Sequence, residues 1–329
     1  MDWTGIGADI ERVIGMKISV AMAAYNGALY IEEQLISILH QSRKADEVII
    51  CDDQSTDRTA EIVQKFILGH KLGESWSLHI NQKNLRYASN FIGAARRTTG
   101  DLILFCDQDD IWLPERVAAM EKIMMQNPQI LLLGSEFETF TSSSSALSVP
   151  SWELKQMKND MSLERLTYSA KNIFIGCQGC TMCVRQSFFH KAVPYWYAGW
   201  AHDEFVWKLA LCMDGLYMYH ANTIKRRLHA SNVSMHKMRN VEKRIGFLTD
   251  LQKSHEMTKQ FAEDIGLEKE KLHLLERNLE AAKLRIEVLS KKKYGNTLKL
   301  LLRYRDCYHK SRAIPVELFM ALNDKVDKK

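Results

Sequence analysis

The chain has 329 residues, of which 46% are hydrophobic and 26% are charged, and its formal net charge is +5. This composition is that of a globular protein and excludes a disordered or fibrous one. The charge is too small to indicate a protein whose partner is nucleic acid. The length predicts one large α/β domain with an appended segment.

The cysteines and the apolar runs predict a location in the cytoplasm. None of the seven cysteines follows a secretory signal, so we expect no disulfides. Cys177, Cys180 and Cys183 have a spacing found in metal sites, but no fourth ligand follows at a suitable offset. No apolar run reaches the length of a transmembrane helix.

The first third of the sequence alternates between strands and helices. Apolar runs predict strands at residues 17–26, 48–51, 78–81 and 101–107, and helical spacing predicts helices after Leu29, from Thr59 and over residues 88–98. This alternation predicts a mainly parallel sheet that is flanked by helices. Because ligands bind beyond the carboxyl ends of such strands, we expect the charged turns after Met22, Cys51 and Cys106 to converge on one cleft.

The rest of the chain is less regular. We predict a helix over 115–125, a strand over 130–133, a flexible serine-rich loop over 141–152, a strand over 173–185, a helix over 202–213 and strands over 215–229. From about residue 239 the sequence predicts long helices. The expected division is an N-terminal extension (1–16), a main α/β domain (17–238) and a C-terminal helical region (239–329).

The stretch LFCDQDDIWLP places Asp107, Asp109 and Asp110 directly after a predicted buried strand. Carboxylates of this kind bind Mg²⁺ or Mn²⁺, often together with the phosphates of a substrate. The alternative is that they cap the following helix, which explains one carboxylate more easily than three. Asp110 in particular could cap the helix that Pro114 begins.

The second turn, CDDQSTD, contains further candidates. Asp53 can accept hydrogen bonds from a nucleobase, while Ser55 or Thr56 caps the next helix. Asp57 is interpreted as a cap. Tyr25, in the first turn, could stack on a base or fill the edge of the sheet.

Two arginines are candidates for phosphate binding. Arg86 follows the third predicted strand, and Arg227 lies close to the end of the predicted strands of the main domain. Each could bind the phosphates of a ligand or could be a solvated surface charge. The sequence leaves both interpretations open.

The order of the motifs resembles that of the family 2 glycosyltransferases, and more narrowly their rhamnosyltransferase-like bacterial branch. The matching stretches include ISVAMAAYNG, VIICDDQSTDRT, GDLILFCDQDDIWLPERV, AHDEFVWKLA and RRLHASNVS, and they extend from about Lys17 to Ser234. The resemblance implies a GT-A fold and a sugar donor linked to UDP or dTDP. It further implies a glycan or lipid-linked oligosaccharide acceptor and inversion at the anomeric carbon.

The resemblance also implies a role for individual residues. Tyr25 and Asp53 would contact the nucleobase, and Asp107 the ribose or a divalent metal. Asp109 would bind the metal that bridges the diphosphate, and His229 would lie near that diphosphate.

On the acceptor side, the resemblance implies that Asp203 is the general base, since an acceptor hydroxyl needs a group that takes its proton. Trp200 and His202 precede it, and an indole face is a common platform for a sugar ring. The alternative interpretation of the pair His202–Asp203 is an N-cap of the following helix.

Two rival functions use the same motif differently. In a haloacid-dehalogenase-type phosphatase, Asp107 would be the nucleophile, but such enzymes normally have Thr or Val where this chain has Ile111, and need a later acidic pair that we do not find. In a non-catalytic nucleotide-sugar-binding protein, the presence of both Asp109 and Asp203 would be unexplained.

The C-terminal helices suggest a partner. The stretch KKKYGNTLKLLLRYRDCYHKSR mixes leucines with lysines and arginines, a composition that suits the surface of an anionic membrane. The hypothesis is peripheral contact with the inner face of the cell membrane. The alternative is a solvated helix that packs on the main domain.

Overall fold

The molecule is built around a mixed sheet, which has nine strands within the described residues. The computed structural model describes residues 15–141, 157–229 and 240–323. The strands are β1 (Ile18–Ala24), β2 (Glu47–Asp52), β3 (Trp76–Ile80), β4 (Leu102–Asp107), β5 (Ile111–Trp112), β6 (Leu132–Thr141), β7 (Leu163–Arg165), β8 (Cys183–Arg185) and β9 (Leu216–Leu228). Their order is β3-β2-β1-β4-β8-β6-β9-β5, and β7 pairs with β9.

Helices flank the sheet and continue beyond it. Those of the main domain are α1 (Ile31–Leu39), α2 (Thr59–Gly69), α3 (Arg86–Ala95), α4 (Arg116–Gln126), α5 (Gln186–Ala192) and α6 (His202–Cys212). The C-terminal region forms α7 (Val241–Asp264), α8 (Lys269–Lys291), α9 (Gly295–Arg303) and α10 (Ala313–Asn323). None of the helices in the described ranges is both long enough and apolar enough to span a membrane.

The first half of the sheet is parallel, as the sequence predicted. Strands β3, β2, β1 and β4 pair in parallel register. Their apolar side chains are buried on both faces because helices cover both sides, as at Val20 and Ala21 of β1. The predicted serine-rich loop lies outside the described residues apart from Thr141, which ends β6, and so does most of the N-terminal extension.

The predicted strand over residues 173–185 is wrong for most of its length. A single 3₁₀ turn, Gly179–Thr181, interrupts it, and only Cys183–Arg185 forms a strand. The amides of Thr181 and Met182 donate to the carbonyls of Gln178 and Gly179, so they are unavailable to a ladder. Gly179 lies in this turn, and its lack of a side chain allows α6 to approach closely, as described below.

The C-terminal helices share part of the main core. Phe261 and Ala262 of α7, and Leu275 of α8, belong to the same buried cluster as Trp207 and Leu211 of α6. A second cluster joins the helices to each other, and it includes Leu248, Leu284, Val288, Leu289 and Leu300. The helical region therefore packs directly on the main domain, and the exact division at residue 238 stays a prediction.

A buried carboxylate ties the last helix to its neighbours. Glu317 accepts from Arg285 at 2.7 Å and also from Arg244 at 2.7 Å, and the side chains of Glu317 and Arg285 are 3% and 5% exposed. The guanidinium of Arg285 also lies over the ring of Tyr308, 4.2 Å from its centroid. Removing the carboxylate would leave a buried arginine without its counter-charge.

We expect Glu317→Ala to lower the free energy of unfolding by about 3–5 kcal/mol, the usual cost of removing one partner of a buried ion pair. Glu280→Ala is the matched control, because Glu280 pairs with Lys299 at the surface and should contribute less than about 1 kcal/mol. Urea denaturation followed by circular dichroism measures both. Equal losses in the two variants would contradict this account of Glu317.

Candidate active site

The carboxyl ends of three parallel strands lie side by side. Ala24 at the end of β1 pairs with Asp52 of β2, and Ala23 pairs with Asp107 of β4. The turns that follow these strands therefore begin at one edge of the sheet. This is the edge at which ligands of parallel α/β sheets bind.

Asp53 is held firmly at this edge. It is 2% exposed, and its Oδ1 accepts from Asn81 Nδ2 at 2.8 Å and from the amide of Leu85 at 2.7 Å. Asn84 donates to the Asp53 carbonyl at 3.2 Å. These bonds connect the turn after β2 with the turn before α3, so the wall of the cleft is built from both.

The predicted capping roles in the second turn are only partly correct. Asp57 lies one residue before the N-cap position, Arg58, and accepts from the amide of Thr59, the first residue of α2, at 2.9 Å, so it adjoins the helix start without being its N-cap. Ser55 does not cap the helix. Its hydroxyl instead donates to Asp52 at 2.5 Å and accepts from the amide of Asn26 at 2.9 Å. The side chain of Asn26 in turn accepts from the amide of Thr56 at 2.8 Å, so these polar residues join the first and second turns.

Gln108, the residue between the first two aspartates, is a positioning residue that the sequence analysis missed. Its side-chain oxygen accepts from the amide of Tyr25 at 2.8 Å, and its side-chain nitrogen donates to the Tyr25 carbonyl at 2.8 Å. Tyr25 is 45% exposed, so its ring does not fill the sheet edge and is free to stack on a ligand. The amide in the middle of D-Q-D was the available signal.

Two of the three aspartates form an acidic cluster with a cysteine. Single ligand atoms of Asp107, Asp110 and Cys180 all lie within 4.8 Å of one another. Burial raises the pKa of Asp107 well above its ordinary value, and the charges of Asp109 and Asp110 add to that shift. Burial and the charge of Asp109 raise the pKa of Asp110 to about 7. Negative charge is therefore costly here unless a cation is bound.

Asp110 does not cap helix α4. Its Oδ1 accepts from the amide of Arg227 in β9 at 3.0 Å, and no described residue bonds its buried Oδ2. The helix begins at Arg116 without any side-chain cap. A buried carboxylate oxygen without a protein partner, beside a second carboxylate, fits a divalent cation.

Asp109 points to a different neighbour. Its Oδ2 lies 2.7 Å from Nε2 of His229, and the His229 ring packs on Tyr30 with centroids 5.0 Å apart. The structure thus brings together the second aspartate of the motif and the late histidine, 120 residues further on. Asp109 as a metal ligand stays a prediction.

The two arginines predicted to bind phosphate, Arg227 and Arg86, lie in different environments. Arg227 is not a surface charge: it is 5% exposed, donates to the Asp109 carbonyl at 2.8 Å and pairs with Glu33. Its guanidinium also lies 4.7 Å from the ring centroid of Tyr30. Arg86 is exposed at the start of α3, and its amide donates to Asn84 at 3.1 Å. A phosphate role for Arg86 stays a prediction.

Asp203 is the second residue of helix α6 and is half-buried. Its Oδ1 accepts from the amide of Glu204 at 2.8 Å. Burial raises the pKa of Asp203 to about 6, and the charge of Glu204 acts in the same direction. A carboxyl group with such a pKa is ionised at neutral pH and is a stronger base than an ordinary aspartate.

One short turn places Asp203 next to the acidic cluster. A Cβ atom on Gly179 would lie 2.4 Å from Nε2 of His202 and 3.2 Å from Cβ of Asp203. The next residue, Cys180, belongs to the acidic cluster with Asp107. Consecutive residues of the 3₁₀ turn therefore touch the two parts of the site.

The prediction that Trp200 and His202 contact an acceptor disagrees with the structure. Trp200 is 2% exposed and packs between Tyr197 and Phe205. His202 is 5% exposed and stacks on Phe91, with centroids 3.9 Å apart. Burial lowers the pKa of His202 to about 3, so the ring is neutral, and neither residue presents a face to the cleft.

Tyr87 is the exposed aromatic residue on this side of the site. It is 46% exposed, and its ring lies edge-on to His202, with centroids 6.4 Å apart. Burial of the hydroxyl raises the pKa of Tyr87 to about 12, and the nearby charges of Asp203 and Glu204 contribute. Sequence periodicity gave no signal for Tyr87, because only the tertiary packing of α3 against α6 brings it to Asp203.

A buried lysine connects this helix with the C-terminal region. Lys208 is 1% exposed, and its Nζ donates to Glu204 at 2.5 Å and to Ser254 of α7 at 2.8 Å. Ser254 also donates to Glu204, at 3.1 Å. Helix α7 therefore supports the first turn of α6, where Asp203 lies.

The contact between Gly27 and Gln108 gives a test of the geometry. A Cβ atom on Gly27 would lie 2.2 Å from the side-chain oxygen of Gln108. We expect Gly27→Ala to displace that amide and to cost about 1–3 kcal/mol through the loss of its two bonds to Tyr25. In Gln108→Ala the same glycine substitution should cost almost nothing, so a double-mutant cycle from urea denaturation should show a coupling of about 1 kcal/mol or more. Additive losses in the two substitutions would contradict the role of Gln108 in fixing the backbone of Tyr25.

Comparison with known proteins agrees with this geometry. The family model described as glycosyl transferase family 2 matches residues 19–189. A putative glycosyltransferase of Bacillus subtilis, EpsE, is 38% identical over 112 residues, which cover 33% of this chain and 40% of EpsE. The dTDP-rhamnosyl transferase RfbG of Shigella flexneri is 37% identical over 106 residues, which cover 29% of this chain and 34% of RfbG. The matched segments thus span less than half of each of these two relatives.

Solved structures share the fold. TarS 1-349 of S. aureus, in complex with UDP-GlcNAc, superposes with a TM-score of 0.60 at 16% identity, covering 93% of this chain and 90% of that one. The mannosyltransferase PcManGT of Pyrobaculum calidifontis, in complex with GDP-Man and Mn²⁺, gives a TM-score of 0.51 at 18% identity, covering 95% and 89%. The mixed sheet with its flanking helices is therefore of the GT-A type. With the family match spanning more than half of its length, this chain belongs to glycosyl transferase family 2 and is a glycosyltransferase.

Proposed function

We propose that this enzyme transfers a sugar, with inversion, from a UDP- or dTDP-linked donor to a hydroxyl of a glycan acceptor. The observation that carries the proposal is the 3₁₀ turn. Gly179 packs on Asp203, and Cys180 adjoins the carboxylates of Asp107 and Asp110. The proposed base and the proposed cation-binding cluster would thus lie on the two sides of one short segment, an arrangement that suits a single displacement at a sugar carbon.

Asp203 would act on the acceptor. An alcohol is a poor nucleophile at neutral pH, and its attack is easier when a neighbouring carboxylate takes the proton. With a pKa of about 6, Asp203 is ionised at pH 7 and retains a strong tendency to accept a proton. A single carboxylate in this role is sufficient for inversion, because the nucleoside diphosphate leaves from the opposite face of the sugar.

The acidic cluster would serve the leaving group. A divalent cation such as Mg²⁺ or Mn²⁺ supplies neutralisation of the negative charge that develops on a departing diphosphate. Asp107, Asp109 and Asp110 would hold it, and the buried unpaired oxygen of Asp110 supports this assignment. The related fold of PcManGT is known in complex with Mn²⁺. His229, which is bonded to Asp109, would lie beside the diphosphate.

The other wall of the cleft would hold the nucleoside. Tyr25 presents an exposed ring on a backbone that Gln108 fixes, and Asp53 is fixed by Asn81. RfbG is named for a dTDP-sugar, and TarS is known with UDP-GlcNAc, which supports a pyrimidine nucleotide. Arg86, exposed at the start of α3, is available for the phosphates.

The acceptor would enter beside Tyr87. This exposed ring replaces the buried Trp200 as the candidate platform for a sugar, because it lies next to Asp203. We infer that the acceptor is a glycan or lipid-linked oligosaccharide of cell-surface polysaccharide synthesis. The enzyme would act on it at the cytoplasmic side of the membrane. RfbG is named as a rhamnosyl transferase, which supports transfer of a sugar but does not identify the acceptor.

Products of donor turnover separate this proposal from its rivals. With Mn²⁺, a transferase site should slowly release nucleoside diphosphate from a UDP- or dTDP-sugar, and EDTA should stop the reaction. A phosphatase that uses Asp107 would release inorganic phosphate, and a non-catalytic binding protein would release neither. Screening both nucleotides with several sugars in this assay identifies the donor.

We expect Asp203→Asn to lower kcat by about a hundredfold to ten-thousandfold, the range for loss of a general base, with nearly unchanged donor affinity. Since the base acts in its ionised form, wild-type kcat/KM should be level above the Asp203 pKa of about 6 and should fall about tenfold per pH unit below it. Stopped assays of transfer and calorimetric titration of the donor measure these effects. Asp214→Asn, which removes a carboxylate paired with Lys271, is the control.

Loss of donor affinity in Asp203→Asn, equal to its loss of activity, would contradict the assignment of the base. So would an acid limb that persists unchanged in the residual activity of this variant.

For the cation we expect Asp109→Ala to weaken donor binding in the presence of Mn²⁺ by at least about tenfold, because groups that ligate or support a metal have effects of this size. Without metal the affinities of variant and wild type should be similar. Glu138→Ala is the control, since Glu138 is a surface carboxylate paired with Lys225. An equal loss with and without Mn²⁺ would argue against a metal role for Asp109.

A further inference from the structure

The C-terminal region contains a basic cavity that the proposed reaction does not use. Its volume is about 1030 Å³, and it lies far along the chain from the acidic cluster. Five basic side chains and one carboxylate line it together with polar and apolar residues. The charged residues are Arg277, Arg303, Arg305, Lys310, Arg312 and Asp306.

Three of the five basic side chains in this basic cavity form no ion pair with a described residue. Asp306, the one carboxylate among the described lining residues, pairs with Arg277 at 2.5 Å. Arg303, Arg305 and Arg312 are exposed, and none of the three forms an ion pair with a residue in the described ranges. Three guanidinium groups around one cavity favour an anion with several oxygens, and phosphate is the common biological example.

An apolar surface adjoins the basic cavity. Leu298, Leu301 and Leu302 of α9 are 62%, 48% and 72% exposed, whereas Leu300 of the same helix is 2% exposed and packs in the helical core. Helical spacing places the three exposed leucines on one side, opposite Leu300. We call them the leucine face. Leu302 belongs both to this face and to the lining of the cavity.

The neighbouring helix continues the pattern. Val316, Phe319 and Leu322 of α10 are 53%, 66% and 59% exposed and recur every three residues. Helix α10 packs on α9 and α8, so these side chains are not needed for its attachment to the bundle. Exposed apolar groups at this density, rimmed by basic side chains, mark an interaction site.

We propose that this surface binds an anionic membrane, with lipid phosphates in the basic cavity and the leucine face among the upper parts of the acyl chains. A lipid layer is the partner that offers phosphates and hydrocarbon side by side, and the cavity and the leucines are side by side at Leu302. A second copy of the chain is a poorer match, because a twofold contact would bring the arginines of both copies together. The surface uses no residue of the sugar-transfer site, so this proposal does not depend on the proposed function.

The test is co-sedimentation of the full chain with vesicles of phosphatidylcholine, alone or mixed with phosphatidylglycerol. The triple variant Arg303→Gln, Arg305→Gln, Arg312→Gln should bind the anionic vesicles about a hundredfold more weakly than wild type, because each basic side chain near the surface contributes about fivefold. Leu298→Ser with Leu302→Ser should also weaken binding, by about tenfold. Lys65→Gln, Lys122→Gln, Lys191→Gln removes the same charge from exposed positions of the main domain and is the control.

Weaker binding in both variants, with the control unchanged and all melting temperatures equal, would support the proposal. Equal binding to vesicles with and without phosphatidylglycerol, or an equal loss in the control, would overturn it. Efficient displacement by soluble glycerol phosphate would show a site for free phosphate esters instead. Dimerisation of wild type in sedimentation velocity, abolished in the leucine variant, would assign the surface to a second copy and would also overturn it. Donor turnover without acceptor should be the same in all these variants, so failure here leaves the transfer mechanism untouched.

Discussion

The close packing of Gly179 on helix α6 is the contact on which the rest of the site depends. There is no space for a side chain at this position, because His202 and Asp203 occupy it. The turn that results sends Cys180 to the carboxylates at the end of β4 and starts β8, which pairs with β4. A larger residue at position 179 would separate α6 from the sheet and with it the proposed base from the acidic cluster.

In the same region, the ionised forms of several carboxyl groups are energetically unfavourable. Asp107 and Asp110 are raised in pKa by burial and by their neighbours, and Asp203 is raised by burial. An ordinary core would avoid such groups, since burying a charge without a partner is unfavourable. The cost is understandable if the site is completed by a cation and by a polar substrate. The stability of the fold then comes from the buried apolar residues of the sheet and of helix α6, the elements that position these carboxylates.

The C-terminal helices take part in this arrangement from a distance. Helix α7 contributes Phe261 to the main core and Ser254 to the bonds around Lys208, and Lys208 supports Glu204 beside Asp203. At their other end, α9 and α10 expose leucines and arginines. One bundle thus braces the proposed base and carries the surface that is proposed to bind a lipid layer.

The sequence by itself determined the parallel half of the sheet, because its strands are nearly continuous apolar runs that end in polar turns, and it determined Asp53, Asp107 and Asp203 as candidates by their motifs. It could not assign Gln108, Tyr87 or Lys208, since their roles arise from contacts with residues between 46 and 116 positions away. It also misplaced Trp200 and His202, which are polar-tipped rings that local sequence cannot distinguish from surface rings. Tertiary structure decided these cases, because burial and hydrogen bonding depend on which elements pack together.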